Sequence, residues 1–265
     1  MRVAVLQLNS QGMSSTKLYK HIRIASKQNV KVLLFGEYVF NPFFKELHSM
    51  SVSMIKEQTT HHIKVLKELA GTYNMTIIAP IILVKKRELY KCIAKFSPSS
   101  SSYYHQQILI NYSHWNEEKF FKNSRNTITT PMIFKIDGFK FALISGFELH
   151  FDTIFEKLNS KKIDAILVPS VSTFDSYERW KMLLCMRAFT NNCYVLRANR
   201  IGEYQDTEYT WKFYGDSVLA SPHGEIINHL RNKEELMIVD MNHADVVQAR
   251  KLWGFKETLK KRINI

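Results

Sequence analysis

The sequence predicts an α/β fold in which short apolar strands alternate with helices and many strands are joined by tight hairpins. Apolar runs of strand length lie at 2–8, 30–35, 139–144, 165–168 and 193–198. Helical spacing occupies the intervals, at 14–27, 59–73 and 177–190. Turn chemistry separates neighbouring strand-like runs: Asp137-Gly138, Pro222-His223-Gly224 and the serine run 97–102, interrupted only by Pro98.

In order, 2–8 is a strand, and 14–27 is a helix opened by a Ser/Thr cluster that can cap it. A short strand at 30–35 precedes a helix at 59–73, where Ile63, Leu66, Leu69 and Ala70 share one face and Gly71 lies near the end. The run 75–84 reads as a buried strand with an extension past Pro80. Strands at 89–96 and 103–110 flank the serine turn. Residues 111–130 show no period and form a long loop. Strands at 132–136 and 139–144 make a hairpin about Asp137-Gly138. A helix at 153–161, a strand at 165–168 ending at Pro169, a long helix at 177–190 and a strand at 193–198 follow, and Gly202 turns the chain. A hairpin at 217–229, a strand at 237–240 and a helix at 246–252 close it. Neither a linker nor a repeat interrupts the pattern, so residues 1–265 are expected to form one domain.

Composition narrows the function classes. The chain has 265 residues, 45% of them hydrophobic, enough for a sizeable core. No apolar run is long enough to span a membrane, and the first residues read as a strand rather than a signal peptide. A cytoplasmic protein is expected, with Cys92, Cys185 and Cys193 as reduced core thiols whose spacing matches no zinc site. Neither metal nor cofactor is expected. The net charge is +13. Its clusters, Lys85-Lys86-Arg87, Lys161-Lys162 and Lys260-Lys261-Arg262, are scattered and not interleaved with aromatics, so nucleic acid is not an expected partner. A basic protein binding an anionic polymer is the weaker alternative class.

The run at 139–144 leads straight into Ser145-Gly146-Phe147-Glu148. A strand ending in a small residue before a tight turn is where many α/β hydrolytic enzymes present a nucleophile. This stretch carries no thiol.

Seven stretches, in order, resemble one family. Leu33-Leu34-Phe35-Gly36-Glu37 is similar to the strand-end glutamate motif of the nitrilase, or carbon–nitrogen hydrolase, superfamily. Tyr104-His105-Gln106-Gln107-Ile108-Leu109 resembles its Y-R-K-x-H-L stretch, and Asn116-Glu117-Glu118 the N-E segment that follows. Residues 144–151 resemble x-I-C-Y-D/E-L-R-F. Trp180, Arg187-Ala188, Asn191, Tyr194-Val195 and 198–202 resemble the W…R-A-x-E-N-x-x-Y-V…N-R-x-G series. Gly215-Asp216-Ser217 with Ser221-Pro222-His223-Gly224 resembles G-x-S…x-P-x-G, and Arg250 falls at the closing arginine. The resemblance implies a four-layer αββα sandwich that pairs into a homodimer.

It also implies a Glu-Lys-Cys triad: a thiolate attacks an amide or nitrile carbon, a glutamate moves protons, and a lysine stabilises the tetrahedral intermediate. Glu37 stands at the general-base position. The lysine position falls on Gln106, or on Gln107 under a one-residue shift. The cysteine position falls on Gly146 counted without gaps, or on Ser145 with one extra residue. The auxiliary glutamate maps to Glu117, or Glu118 under the same shift. Two of the three catalytic groups are thus replaced. A serine without an adjacent base is a poor nucleophile, and glutamine cannot supply a full positive charge. Lys119 reads as solvated, and His150 as a loop histidine where the family often has arginine. Asn191 and Asn199-Arg200 read as scaffold.

The expected function is therefore that of a carbon–nitrogen hydrolase relative without ordinary amidase or nitrilase turnover: a pseudoenzyme, or a binder of a small amide, carbamoyl or amine ligand. The alternative is an active amidohydrolase using Ser145 or a water with Glu37 and Glu117. Ligand choice is expected to sit in the loops at 41–56, 110–130 and 170–178.

Overall fold

A computed structural model of the chain describes residues 1–14 and 16–262. Its first half runs β1 (Arg2–Gln7), α1 (Thr16–Lys27), β2 (Val32–Phe35), α2 (Phe44–Leu47), α3 (Val52–Thr72), β3 (Thr76–Lys85), β4 (Glu88–Phe96) and β5 (Ser101–His105). The middle comprises β6 (Met132–Ile136), β7 (Phe139–Leu143), α4 (Asp152–Glu156), β8 (Ala165–Pro169), α5 (Tyr177–Asn191) and β9 (Tyr194–Ala198). The remainder is β10 (Ile201–Gln205), β11 (Thr210–Tyr214), β12 (Val218–Ala220), β13 (Ile226–His229), β14 (Glu235–Asp240), α6 (His243–Trp253) and α7 (Phe255–Lys260).

Two six-stranded sheets result, ordered β14-β1-β2-β3-β4-β5 and β13-β12-β9-β8-β7-β6, beside a β10–β11 hairpin. Each large sheet has three parallel central strands, β1-β2-β3 in one and β7-β8-β9 in the other, with antiparallel margins. Strand alternation then separates the core into layers. Val3, Val5, Val32 and Leu34 meet Phe141, Leu143, Leu167 and Leu196 between the sheets. Ala4, Leu6, Leu33 and Phe35 face the other way, under Leu18 and Ile22 of α1 and Leu66 and Leu69 of α3. Ala142, Ile166 and Val195 lie under Ile154 of α4 and Leu184 and Ala188 of α5. The order of layers is αββα.

Local chemistry explains where elements differ from expectation. Ser51 caps α3, accepting from the Met54 N–H at 3.3 Å, so that helix starts well before residue 59. The helix expected at 153–161 is only α4 followed by a single 3-10 turn, Asn159–Lys161, closed by left-handed Lys162. The strand expected to reach residue 110 ends at His105, because the backbone N–H groups of Gln107 and Ile108 donate to the Glu148 carboxylate. The turn at the serine run spans Ser97–Ser100 and closes with the Ser97 N–H on the Ser100 carbonyl at 2.8 Å. At the β6–β7 turn, Asp137 and Gly138 both have positive φ, 48° and 82°, as a two-residue primed turn requires. The helix expected from residue 14 begins at Thr16, and Ser15 lies outside the described residues. No helix among the described residues is long and apolar enough to cross a membrane.

Candidate active site

The end of β2 in one sheet meets the ends of β7 and β8 in the other, and the residues just past them frame the site. Gly36 lets the sheets approach: a Cβ there would sit 2.7 Å from the Asn199 carbonyl carbon. The next residue, Glu37, is anchored by its N–H to the Ser170 carbonyl at 2.9 Å. Its carboxylate meets Lys91 Nζ at 2.6 Å. The same ammonium donates to both oxygens of Glu117, at 2.8 and 2.9 Å. Glu117 Oε1 also accepts from the Tyr38 hydroxyl at 2.6 Å and from Trp115 Nε1 at 3.2 Å.

Glu37, Lys91 and Glu117 are all buried. Burial raises the Glu37 pKa, and the pull of Lys91 only partly opposes this because Glu117 adds a second negative charge. Burial lowers the Lys91 pKa, but Glu117 and Glu37 outweigh it and hold the ammonium above its ordinary range. The Tyr38 hydroxyl is pushed well up by burial and by the same two carboxylates.

Of the residues singled out in the sequence, Glu37 and Glu117 come together through Lys91, which was not singled out. Glu118 is only half-buried and its side chain has no part in the cluster; Lys119 is exposed, as expected. Gln106 is buried, but its amide donates to the Ile108 carbonyl at 2.7 Å rather than to either carboxylate. Asn123 ties it to the strand beside it. The Asn123 amide accepts from the Lys91 N–H at 2.9 Å and donates to the carbonyls of Lys91 and Gln106 at 2.7 and 2.8 Å.

Ser145 is fully buried and its Oγ has no hydrogen-bond partner among the described residues. Gly146 donates its N–H to the Pro169 carbonyl at 2.7 Å and lies close enough to Glu37 to favour the charged carboxylate. A Cβ on Gly146 would fall 2.5 Å from the Ser170 Cβ, so the space a side chain would need is taken. Ser170 is itself held, donating to the Ala198 carbonyl and accepting from Arg197 Nε at 2.8 Å.

Glu148 fixes the geometry around this turn. It accepts from the N–H groups of Ser145 (2.9 Å), Gln107 (2.6 Å) and Ile108 (3.4 Å), and from the Tyr104 hydroxyl at 3.0 Å on each oxygen. One buried carboxylate thus staples the end of β5 to the end of β7. Burial raises its pKa to about 7, against the pull of those donors. Arg200, expected as scaffold, donates to the Tyr38 carbonyl at 2.9 Å and lies over the Phe213 ring.

A small cavity adjoins the cluster and a larger one lies beyond Trp115, and they differ in scale. Beside Glu37, Tyr38, Asn41 and Lys91 the space is about 10 Å³, room for one water at most. A larger cavity of about 360 Å³ opens between the loops at 110–115 and 171–176, walled by Tyr112, Trp115, Phe147, Phe174 and Trp180. Arg179 and His150 lie at its margin, and no carboxylate is among its described lining residues. Two of the three loops expected to carry ligand choice therefore line it, while 41–56 does not. Trp115 belongs to both regions, since it lines the cavity and turns its indole N–H to Glu117. Among the described residues no group of His, Cys, Asp or Glu side chains is arranged to hold a metal ion.

The family model for carbon–nitrogen hydrolases matches residues 2–251. Citrullinase from Francisella tularensis is 23% identical over 275 aligned positions, covering 96% of this chain and 93% of that protein. Deaminated glutathione amidase from Synechocystis is 25% identical over 122 residues, 45% of this chain and only 44% of the relative's length. N-carbamoylputrescine amidase from rice (Oryza sativa) is 31% identical over 91 residues, 32% of this chain and 30% of that protein. Among solved structures, a superfamily protein from Xanthomonas campestris with an arsenic adduct in its active site superposes with a TM-score of 0.81 at 16% identity, covering 97% of this chain and 96% of that one. The amidase of Nesterenkonia sp. AN1 superposes with a TM-score of 0.78 at 19% identity, covering 99% of this chain and 100% of that one.

Proposed function

Because the chain belongs to the carbon–nitrogen hydrolase family, we propose that it is a member without ordinary amidase or nitrilase turnover, one that binds a small amide or carbamoyl compound in its aromatic cavity. The observation that carries this reading is at Gly146. The position has no reactive atom, and the space where a side chain would project is filled by Ser170. The burial of Glu37, Lys91 and Glu117 away from the large cavity supports it. The cavity's lining supports a neutral ligand. It lacks a carboxylate to receive an ammonium, so of the three expected ligand classes the amine fits least. The same reading takes the protein as a cytoplasmic homodimer.

A second reading is favoured by the charge cluster. Two carboxylates and an ammonium remain assembled, so a base and a cation stand ready for an active amidohydrolase using Ser145 or a water. One experiment separates the two. The purified protein is assayed against a panel of simple amides, N-carbamoyl amines and nitriles beside its Glu37→Ala variant, and the same compounds are titrated by calorimetry. The expected result is binding without turnover. Turnover that disappears in Glu37→Ala would overturn the proposal, and its further loss in Ser145→Ala, with an acyl adduct on Ser145 by mass spectrometry, would establish the second reading.

A further inference from the structure

We infer that Lys91 is the cation of this site, moved by one strand from the position where the family's lysine would stand, and that it positions and neutralises Glu37 and Glu117. The inference concerns the charge of the site and holds whether or not the site turns over a substrate.

The β4–β5 ladder shows how the move is possible. Phe96 pairs with Ser101 and Cys92 with His105, and the Gln106 N–H donates to the Lys91 carbonyl at 3.1 Å. Gln106 thus lies opposite Lys91 one step past the last ladder pair, joined by that one backbone bond, while Asn123 bridges the Lys91 N–H and the Gln106 carbonyl. Residues opposite one another in an antiparallel ladder project from the same face. Their partners two residues back, Tyr104 and Ile93, both lie in the core between the sheets. Strands are about 4.8 Å apart, a gap that a four-carbon side chain can span. A lysine on β4 can thus deliver its ammonium to the place that a lysine at 106 would reach from β5.

The contacts are those of a built site rather than a stray ion pair. All three ammonium protons have acceptors: Glu37 at 2.6 Å and both oxygens of Glu117 at 2.8 and 2.9 Å. The ammonium also lies 4.9 Å from the centre of the Tyr38 ring. Asn123 holds the backbone of Lys91 and Gln106 together, which keeps the two positions in register. Without Lys91, two carboxylates would share one buried space unpaired, since among the described residues no other cation forms an ion pair with either, and the buried Arg197 and Arg200 are engaged by Ser170 and Ser172 and by Tyr38 and Asn9.

The test is a charge swap across the ladder, read by the titration of Glu37 in carboxyl-labelled protein and by thermal unfolding. In Lys91→Met, the midpoint of Glu37 is expected to rise by about one to three pH units, and Tm to fall by on the order of 10 °C. In the double variant Lys91→Gln with Gln106→Lys, both are expected to return toward the parent. A Glu37 midpoint and Tm in Lys91→Met that match the parent would overturn the inference. Should Lys91→Met fail to fold, the double variant decides: recovery of folding and of the Glu37 midpoint supports the inference, and failure to recover overturns it. Neither readout depends on substrate, so a positive turnover assay leaves this result standing, and the reverse.

Discussion

Glu148 and Glu37 are two buried carboxylates a few residues from the same turn, and the protein treats them differently. Glu37 has an ammonium. Glu148 has only dipoles: three backbone N–H groups and the Tyr104 hydroxyl. Burial outweighs those donors and raises the Glu148 pKa from the ordinary 4.5 to about 7. The Tyr104 hydroxyl can reverse and accept the carboxyl proton, so the staple survives protonation. A folded pKa above the unfolded one contributes stability that is complete below about 4.5 and is lost as pH rises through about 7, for a total of about 3 kcal/mol. Urea unfolding of the parent and of Glu148→Gln between pH 4.5 and 7.5 should show this loss in the parent and its absence in the variant. Parallel pH profiles would show that Glu148 does not titrate in this range.

Among the elements, the central strands were legible because each is short, apolar and bounded by turn residues. The β6–β7 hairpin could be placed from Asp137-Gly138 alone, and the end of β7 gave Ser145-Gly146 directly, whereas Glu37 came from the family resemblance and not from the strand itself. Pieces with no periodic face were not legible. The one-turn α2 rests on its aromatic surroundings, with Phe43 and Phe44 packed against Trp115, and α7 exists because left-handed Gly254 ends α6 and lets the chain restart. The β10–β11 hairpin was also missed, because Gly202 reads as a turn and interrupts its first strand, although its second strand alternates exposed polar residues with the buried Trp211 and Phe213. Lys91 was missed for a different reason. The family motif points to a cation at 106, within its own stretch, whereas the ladder places one across from it. A charged residue inside the strand expected at 89–96, opposite Gln106 once the serine turn is folded, was the available signal. Asn123 depends on tertiary structure altogether, because it joins the loop after β5 to both strands. Asn123→Ala removes three hydrogen bonds to buried backbone and should cost about 1–3 kcal/mol. It should also speed hydrogen exchange at the Lys91 amide relative to β1 and β2. Unchanged exchange at that amide would show that the ladder, rather than the clamp, protects it.

At the scale of the whole molecule, the distribution of apolar surface bears on assembly. The net charge of +13 is spread widely, but exposed large apolar side chains gather where α5, α6 and α7 meet. Met182 and Met186 of α5 are 61% and 54% exposed, and Leu252 and Trp253 at the end of α6 are 61% and 47% exposed. Phe189, at helical spacing from Met182 and Met186 along α5, has its ring centre 5.2 Å from those of both Trp253 and Phe255. A contiguous patch of this kind is unusual on a surface that faces only water. A two-fold axis through it would let each copy cover the other's methionines and indole, which is the isologous arrangement expected of a homodimer. Sedimentation equilibrium at micromolar concentration should therefore give twice the chain mass of 31.1 kDa. Met186→Glu with Leu252→Glu should place like charges in the interface and yield the single-chain mass, while circular dichroism stays that of the parent, because both side chains are more than half exposed within one copy. A parent that sediments as one chain at every concentration, or a double variant that still pairs, would show that this face is not where two copies meet.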